Sequence, residues 1–107
     1  ETIQKQGFNH TRIFIGDYAE AKEAFCIIRN SLAPSDKMFL TPWARSGQAG
    51  FALGGNKFDL EKWNPDYFNR LHRFMKKASD LGIVVECDLF FEGMSRQDMP
   101  MNPKNNL

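Results

Sequence analysis

The stretch Gly54-Gly55-Asn56-Lys57-Phe58-Asp59-Leu60-Glu61-Lys62-Trp63-Asn64-Pro65 runs into a helical pattern, and Gly82-Ile83-Val84-Val85-Glu86-Cys87-Asp88-Leu89-Phe90 follows it. Together they read as helix, glycine stop and buried strand. Asn64 is a good N-cap, Pro65 suits the first helical position, and Asp66 complements the positive end of the helix dipole. Phe68, Leu71, Met75 and Ala78 recur at helical spacing, and Tyr67, Phe74 and Leu81 widen that face. Arg70, Arg73, Lys76 and Lys77 fill the other side, as expected of a solvated face. Gly82 falls where a left-handed C′ residue ends a helix.

Working upstream, Thr11-Arg12-Ile13-Phe14-Ile15-Gly16 is a second strand pattern. Strand, helix and strand make one βαβ unit, so the spacing predicts an α/β fold with parallel strands. The connection after the first strand spans about 45 residues, far above the usual few. Connections of that length are functional or disordered, and this one carries Phe39, Trp43, Arg45 and Phe51. Part of it, Tyr18 to Arg29, has a composition that suits a helix but an untidy apolar spacing, so it reads equally as loop. Trp63, just before the helix cap, is expected to anchor packing.

Alternation divides each strand into two faces. Thr11, Ile13 and Ile15 point one way, and His10, Arg12 and Phe14 the other. Val85, Cys87 and Leu89 share one face, and Val84, Glu86, Asp88 and Phe90 the opposite one. The aliphatic faces suit packing under a helix, and Ile13, Ile15, Val85, Cys87 and Leu89 are expected to meet Phe68, Leu71 and Met75. A strand buried on both sides should be almost continuously apolar. The ionisable faces therefore point to a barrel interior or an active-site rim. A buried ion pair of Arg12 with Glu86 or Asp88 is expected there, because an unpaired buried charge is costly. Glu86 and Asp88, two residues apart, also form a carboxylate pair of the kind used in proton transfer.

Composition narrows the function classes. The chain has 107 residues, enough for one small domain, and its hydrophobic content of 42% is that of a folding chain. A formal net charge of +1 argues against nucleic acid as the main partner. No apolar run reaches membrane-spanning length, and no secretory leader is read. The first residue is Glu1 rather than Met, as expected of a processed or excerpted sequence. Cys26 and Cys87 do not make a disulfide framework, and Cys87 reads as a small buried apolar residue. Phosphate-loop and zinc motifs are lacking, and His10 and His72 have no evident nucleophile beside them.

Several segments carry a family resemblance. Gly7-Phe8-Asn9-His10-Thr11-Arg12 resembles the G-x-N-x-x-R pattern on the second barrel strand of clan A glycoside hydrolases, especially the cellulase-like family 5 and its relatives. Phe58-Asp59-Leu60 through Phe74, then Ala78-Ser79-Asp80-Leu81-Gly82-Ile83-Val84-Val85-Glu86, resembles their second helix and third strand. Met99-Pro100-Met101-Asn102-Pro103-Lys104-Asn105-Asn106 resembles the loop that follows. The likeness runs from about Gly7 to the end of the chain.

That resemblance implies a βαβ portion of a (β/α)8 TIM barrel, residues 1–107 being a partial catalytic domain, since a whole barrel needs roughly 250 residues. It implies a retaining glycosidase with two carboxylates about 5 Å apart. The acid/base is expected in an Asn-Glu-Pro motif on the fourth strand and the nucleophile on the seventh, both beyond Leu107. It implies that Arg12 holds the nucleophile carboxylate ionised and oriented, and that Phe90 replaces the histidine ending the third strand. Trp43 and Arg45 in the long connection, and Asp17 and Tyr18 after the first strand, are the other substrate-binding candidates. The implied partners are a carbohydrate substrate and the remainder of the barrel. No cofactor and no metal is implied, and the setting would be secreted or periplasmic. The rival expectation is a non-catalytic carbohydrate-binding or protein-interaction α/β module.

Overall fold

The helix begins where its capping residues dictate. In the computed structural model, which describes residues 1–15, 26, 28, 39–90, 96 and 99–107, helix α2 spans Pro65–Asp80. The Asn64 side chain accepts the Asp66 N–H at 3.1 Å, satisfying one of the unpaired donors of the first turn. At the other end the Gly82 N–H donates to Ser79 O and the Ile83 N–H to Ala78 O, both at 2.9 Å. These are the paired bonds of a Schellman motif, and they need the left-handed φ of 68° that Gly82 adopts. A short helix α1, Thr2–Lys5, lies at the start of the chain.

Strands β1, His10–Phe14, and β4, Val84–Asp88, pair in parallel, with Arg12 opposite Glu86 and Phe14 opposite Asp88. The βαβ expectation therefore holds as a small α/β unit with a parallel two-stranded sheet. Helix α2 packs against β4 of this pair. Ile13 shares an apolar groove with Tyr67, Leu71 and Phe74, and Thr11 and Ile83 lie beside Phe74 and Ala78. The coverage is thinner than the alternation implied. β4 ends at Asp88, and Leu89, expected under the helix, is 59% exposed. Cys87, expected buried, is half-buried.

The connection to α2 is not structureless. It contains an antiparallel pair, β2, Trp43–Ala49, and β3, Asn56–Trp63. The register jumps, because Trp43 pairs with Trp63 while Ala44 pairs with Asp59, leaving Leu60, Glu61 and Lys62 bulged. The Asp59 carboxylate closes this bulge, accepting the Glu61 N–H at 3.1 Å and pairing with Lys62 Nζ at 3.1 Å. The expected helix over Tyr18 to Arg29 lies outside the described residues, Cys26 and Ile28 apart.

Among the described residues the most deeply buried lie in and around this hairpin and the chain's last residues rather than in the βαβ unit. Phe58 is 1% exposed, and Phe51, Met99 and Thr41 are also buried. Phe51 and Phe58 meet edge-on at 5.0 Å and Phe39 stacks on Phe51 at 6.0 Å. The chain's last residues run beside β3, with the Phe58 N–H donating to Asn105 O at 2.9 Å and the Leu107 N–H to Phe58 O at 3.0 Å. Buried Asn105 is satisfied from two sides: Nδ2 donates to Met99 O at 2.8 Å and Oδ1 accepts the Ala52 N–H at 3.1 Å. A buried amide with its bonds made fixes where these segments meet.

Candidate functional site

The period of two along β1 and β4 places His10, Arg12, Glu86 and Asp88 on one face of the parallel pair, opposite the face that carries Thr11 and Ile13 against α2. Neighbouring strands are about 4.8 Å apart, so residues in register reach each other. Arg12 Nη2 donates to Glu86 Oε1 at 2.9 Å, and Arg12 Nε lies 3.8 Å from Asp88 Oδ2. The second Glu86 oxygen lies 3.3 Å from His10 Nε2. One carboxylate thus bridges an imidazole and a guanidinium. The hydrogen bond to Glu86, then the charges of Glu86 and Asp88, raise the Arg12 pKa above its ordinary value.

The ion pair is the expected one, but it is not buried. The Arg12 side chain is 60% exposed and that of Glu86 42%. The reason is architectural, since among the described residues no third strand or second layer lies over this face. Chemically, the group can orient one guanidinium and present it to an anionic or hydroxylic partner. No cluster of three or more His, Cys, Asp or Glu among the described residues could hold a metal ion, and no helix there is long and apolar enough to cross a membrane.

The other candidates fall elsewhere. Trp43 opens β2, half-buried and opposite Trp63. Arg45, also half-buried, lies over the Phe58 ring at 4.1 Å and the Phe51 ring at 4.7 Å, and its Nη1 donates to Asn56 O at 2.6 Å. Those contacts tie it into the hairpin core. Neither hairpin strand packs against β1 or β4, so Arg12 is not brought together with Trp43 or Arg45. Phe90 is 78% exposed just past the end of β4. Asp17 and Tyr18 lie outside the described residues.

Two residues were underrated by the sequence reading. His10 joins Glu86, and its signal was the spacing of two residues from Arg12. Trp63, expected to be a packing anchor, does meet Phe68 edge-on at 5.6 Å, yet it is 66% exposed. Comparison with known proteins gives no matching family model, no matching curated protein and no matching solved structure.

Proposed function

We infer that this chain supplies a strand, helix and strand of the barrel of a retaining glycoside hydrolase, with the catalytic carboxylates carried by further strands. The observation that carries this reading is the ionisable row His10, Arg12, Glu86 and Asp88 on the sheet face turned away from α2. In a closed barrel that face lines the axis, and side chains at the carboxyl ends of the strands meet the substrate. Arg12, held by Glu86, would donate to the nucleophile carboxylate and keep it ionised. Phe90 would contribute apolar surface to the sugar, and the hairpin that carries Trp43 would be an insertion in the connection after β1. The paired carboxylates needed for retaining hydrolysis would come from an Asn-Glu-Pro segment and a later glutamate.

Two observations test this together. On this reading the coding sequence extends past Leu107 and contains Asn-Glu-Pro within the next strand. The full-length protein should turn over a β-glucan, mannan or xylan, while the 107-residue chain gives only background. Turnover by the short chain that disappears in Glu86→Gln would reject the assignment and make Glu86 catalytic. A continuation with no such motif and no turnover would favour the non-catalytic binding module instead.

A further inference from the structure

Glu86 stands at the centre of the ionisable row. Register puts Arg12 directly opposite it on β1, and His10 one pleat earlier on the same face. The two oxygens of its carboxylate are divided between these neighbours. Oε1 accepts from Arg12 Nη2 at 2.9 Å, and Oε2 lies 3.3 Å from His10 Nε2. A carboxylate oxygen only accepts, so the second contact is favourable when Nε2 carries the proton. The last torsion of a glutamate is broad and has no sharp preference of its own. A partner on one oxygen alone therefore leaves the carboxylate free to turn. Partners on both oxygens, two residues apart on one strand, define its plane.

Arg12 takes its direction from that carboxylate. Its side chain is 60% exposed, so packing does little to orient it. Asp88 Oδ2 stands off at 3.8 Å from Nε, beyond hydrogen-bond reach. Among the described residues, Glu86 is the hydrogen-bond acceptor that holds the guanidinium. A guanidinium grips a further carboxylate at two points only when its planar fork is aimed at it. His10 lies two residues before Arg12, about 6.6 Å back along β1, on the side away from the strands' carboxyl ends. Its route to Arg12 runs through Glu86.

We propose that His10 is a positioning residue: by holding Oε2 of Glu86 it fixes the carboxylate that aims the Arg12 guanidinium, and so governs how Arg12 engages an anionic partner. That the partner is a nucleophile carboxylate rests on the glycosidase reading; the chain His10–Glu86–Arg12 does not.

The test labels the full-length protein with ¹⁵N-arginine and reads the Arg12 side chain, identified by its loss in Arg12→Lys. In the parent, cooled to slow rotation, the Arg12 Nη groups should give separate, restrained signals. His10→Ala and Glu86→Gln should each merge them toward the averaged signal of a free arginine. His10→Gln, which keeps an N–H donor, should recover most of the restraint. Where the parent hydrolyses one of the polysaccharides, His10→Ala should lower kcat about ten-fold or more with KM within about two-fold, and His10→Gln should restore it. If His10→Ala proves unfolded, His10→Phe, which keeps a ring and removes the donor, decides in its place. Arg12 signals unchanged in the folded variant, with or without a lowered melting temperature, overturn the proposal. Signals that respond to His10 as expected in a protein without glycosidic turnover would sustain the positioning role and remove the glycosidase reading; turnover with Arg12 signals indifferent to His10 would do the reverse.

Discussion

At the scale of single residues, Arg12 and Asp59 show how two ion-paired side chains serve different ends. Arg12 sits on an open sheet face, bonded to Glu86 at 2.9 Å and exposed. An exposed pair is worth little to stability, so Arg12→Ala should leave the melting temperature of the 107-residue chain nearly unchanged. A drop of many degrees would show that the pair holds the sheet together. Asp59, by contrast, closes a backbone bulge. The hydrogen bond from Lys62, then that from the Glu61 N–H, hold its pKa below the ordinary carboxylate value. A carboxylate with a depressed folded pKa stabilises the fold at pH values above its unfolded pKa of about 3.9, and that contribution fades as pH falls through the folded value. Urea titrations from pH 3 to pH 7 should therefore find Asp59→Asn less stable than the parent at neutral pH, with the gap narrowing below about pH 4. A gap independent of pH would show that shape rather than charge matters at this bulge. An ion pair of Arg12 with Glu86 or Asp88 could be read from the sequence because strands alternate and these charges fall on the faces opposite the aliphatic residues. Their exposure could not, because it depends on what covers the sheet.

At the scale of elements, legibility follows how local the determining forces are. Helix α2 was readable because Asn64, Pro65 and Gly82 act within a few residues of themselves. Each carries a definite cost: Asn64→Ala should lose about 1 kcal/mol through the cap, and Gly82→Ala about 1–2 kcal/mol through its left-handed φ alone, since a Cβ there meets no atom within 4 Å. Denaturant melts of the two variants check both values, and a neutral Gly82→Ala would mean that the Schellman turn relaxes freely. The hairpin was unreadable for the opposite reason. Its register breaks twice, which destroys the period-two signal, and Ser46-Gly47-Gln48 offers no apolar alternation. What holds β2 and β3 is contact between distant residues: Phe39, Phe51, Phe58, Met99 and the bonds of Asn105. Phe58→Ala should accordingly cost about 3–5 kcal/mol, read as a lowered denaturation midpoint, whereas a loss under 1 kcal/mol would mean that this cluster is not the core. Trp63 misled for a related reason. Its staple to Phe68 is local and was legible; the open side of its ring is a tertiary property.

At the scale of the whole molecule, the chain divides into a well-packed hairpin with the terminal segment and a more thinly covered parallel unit. A parallel pair on its own is marginal and normally has both faces covered, while here one face carries charges in water and the outer edges of β1 and β4 have no strand neighbour among the described residues. Under the proposed barrel, further strands would pair with those open edges. The most direct test is steady-state turnover by the full-length protein and by its Arg12→Ala variant, on the panel of β-glucan, mannan and xylan. The reading predicts measurable hydrolysis by the parent and a fall in kcat of about 100-fold or more in Arg12→Ala, with folding intact. Hydrolysis unchanged by Arg12→Ala, or no hydrolysis of any of the three polysaccharides by the parent, would contradict it.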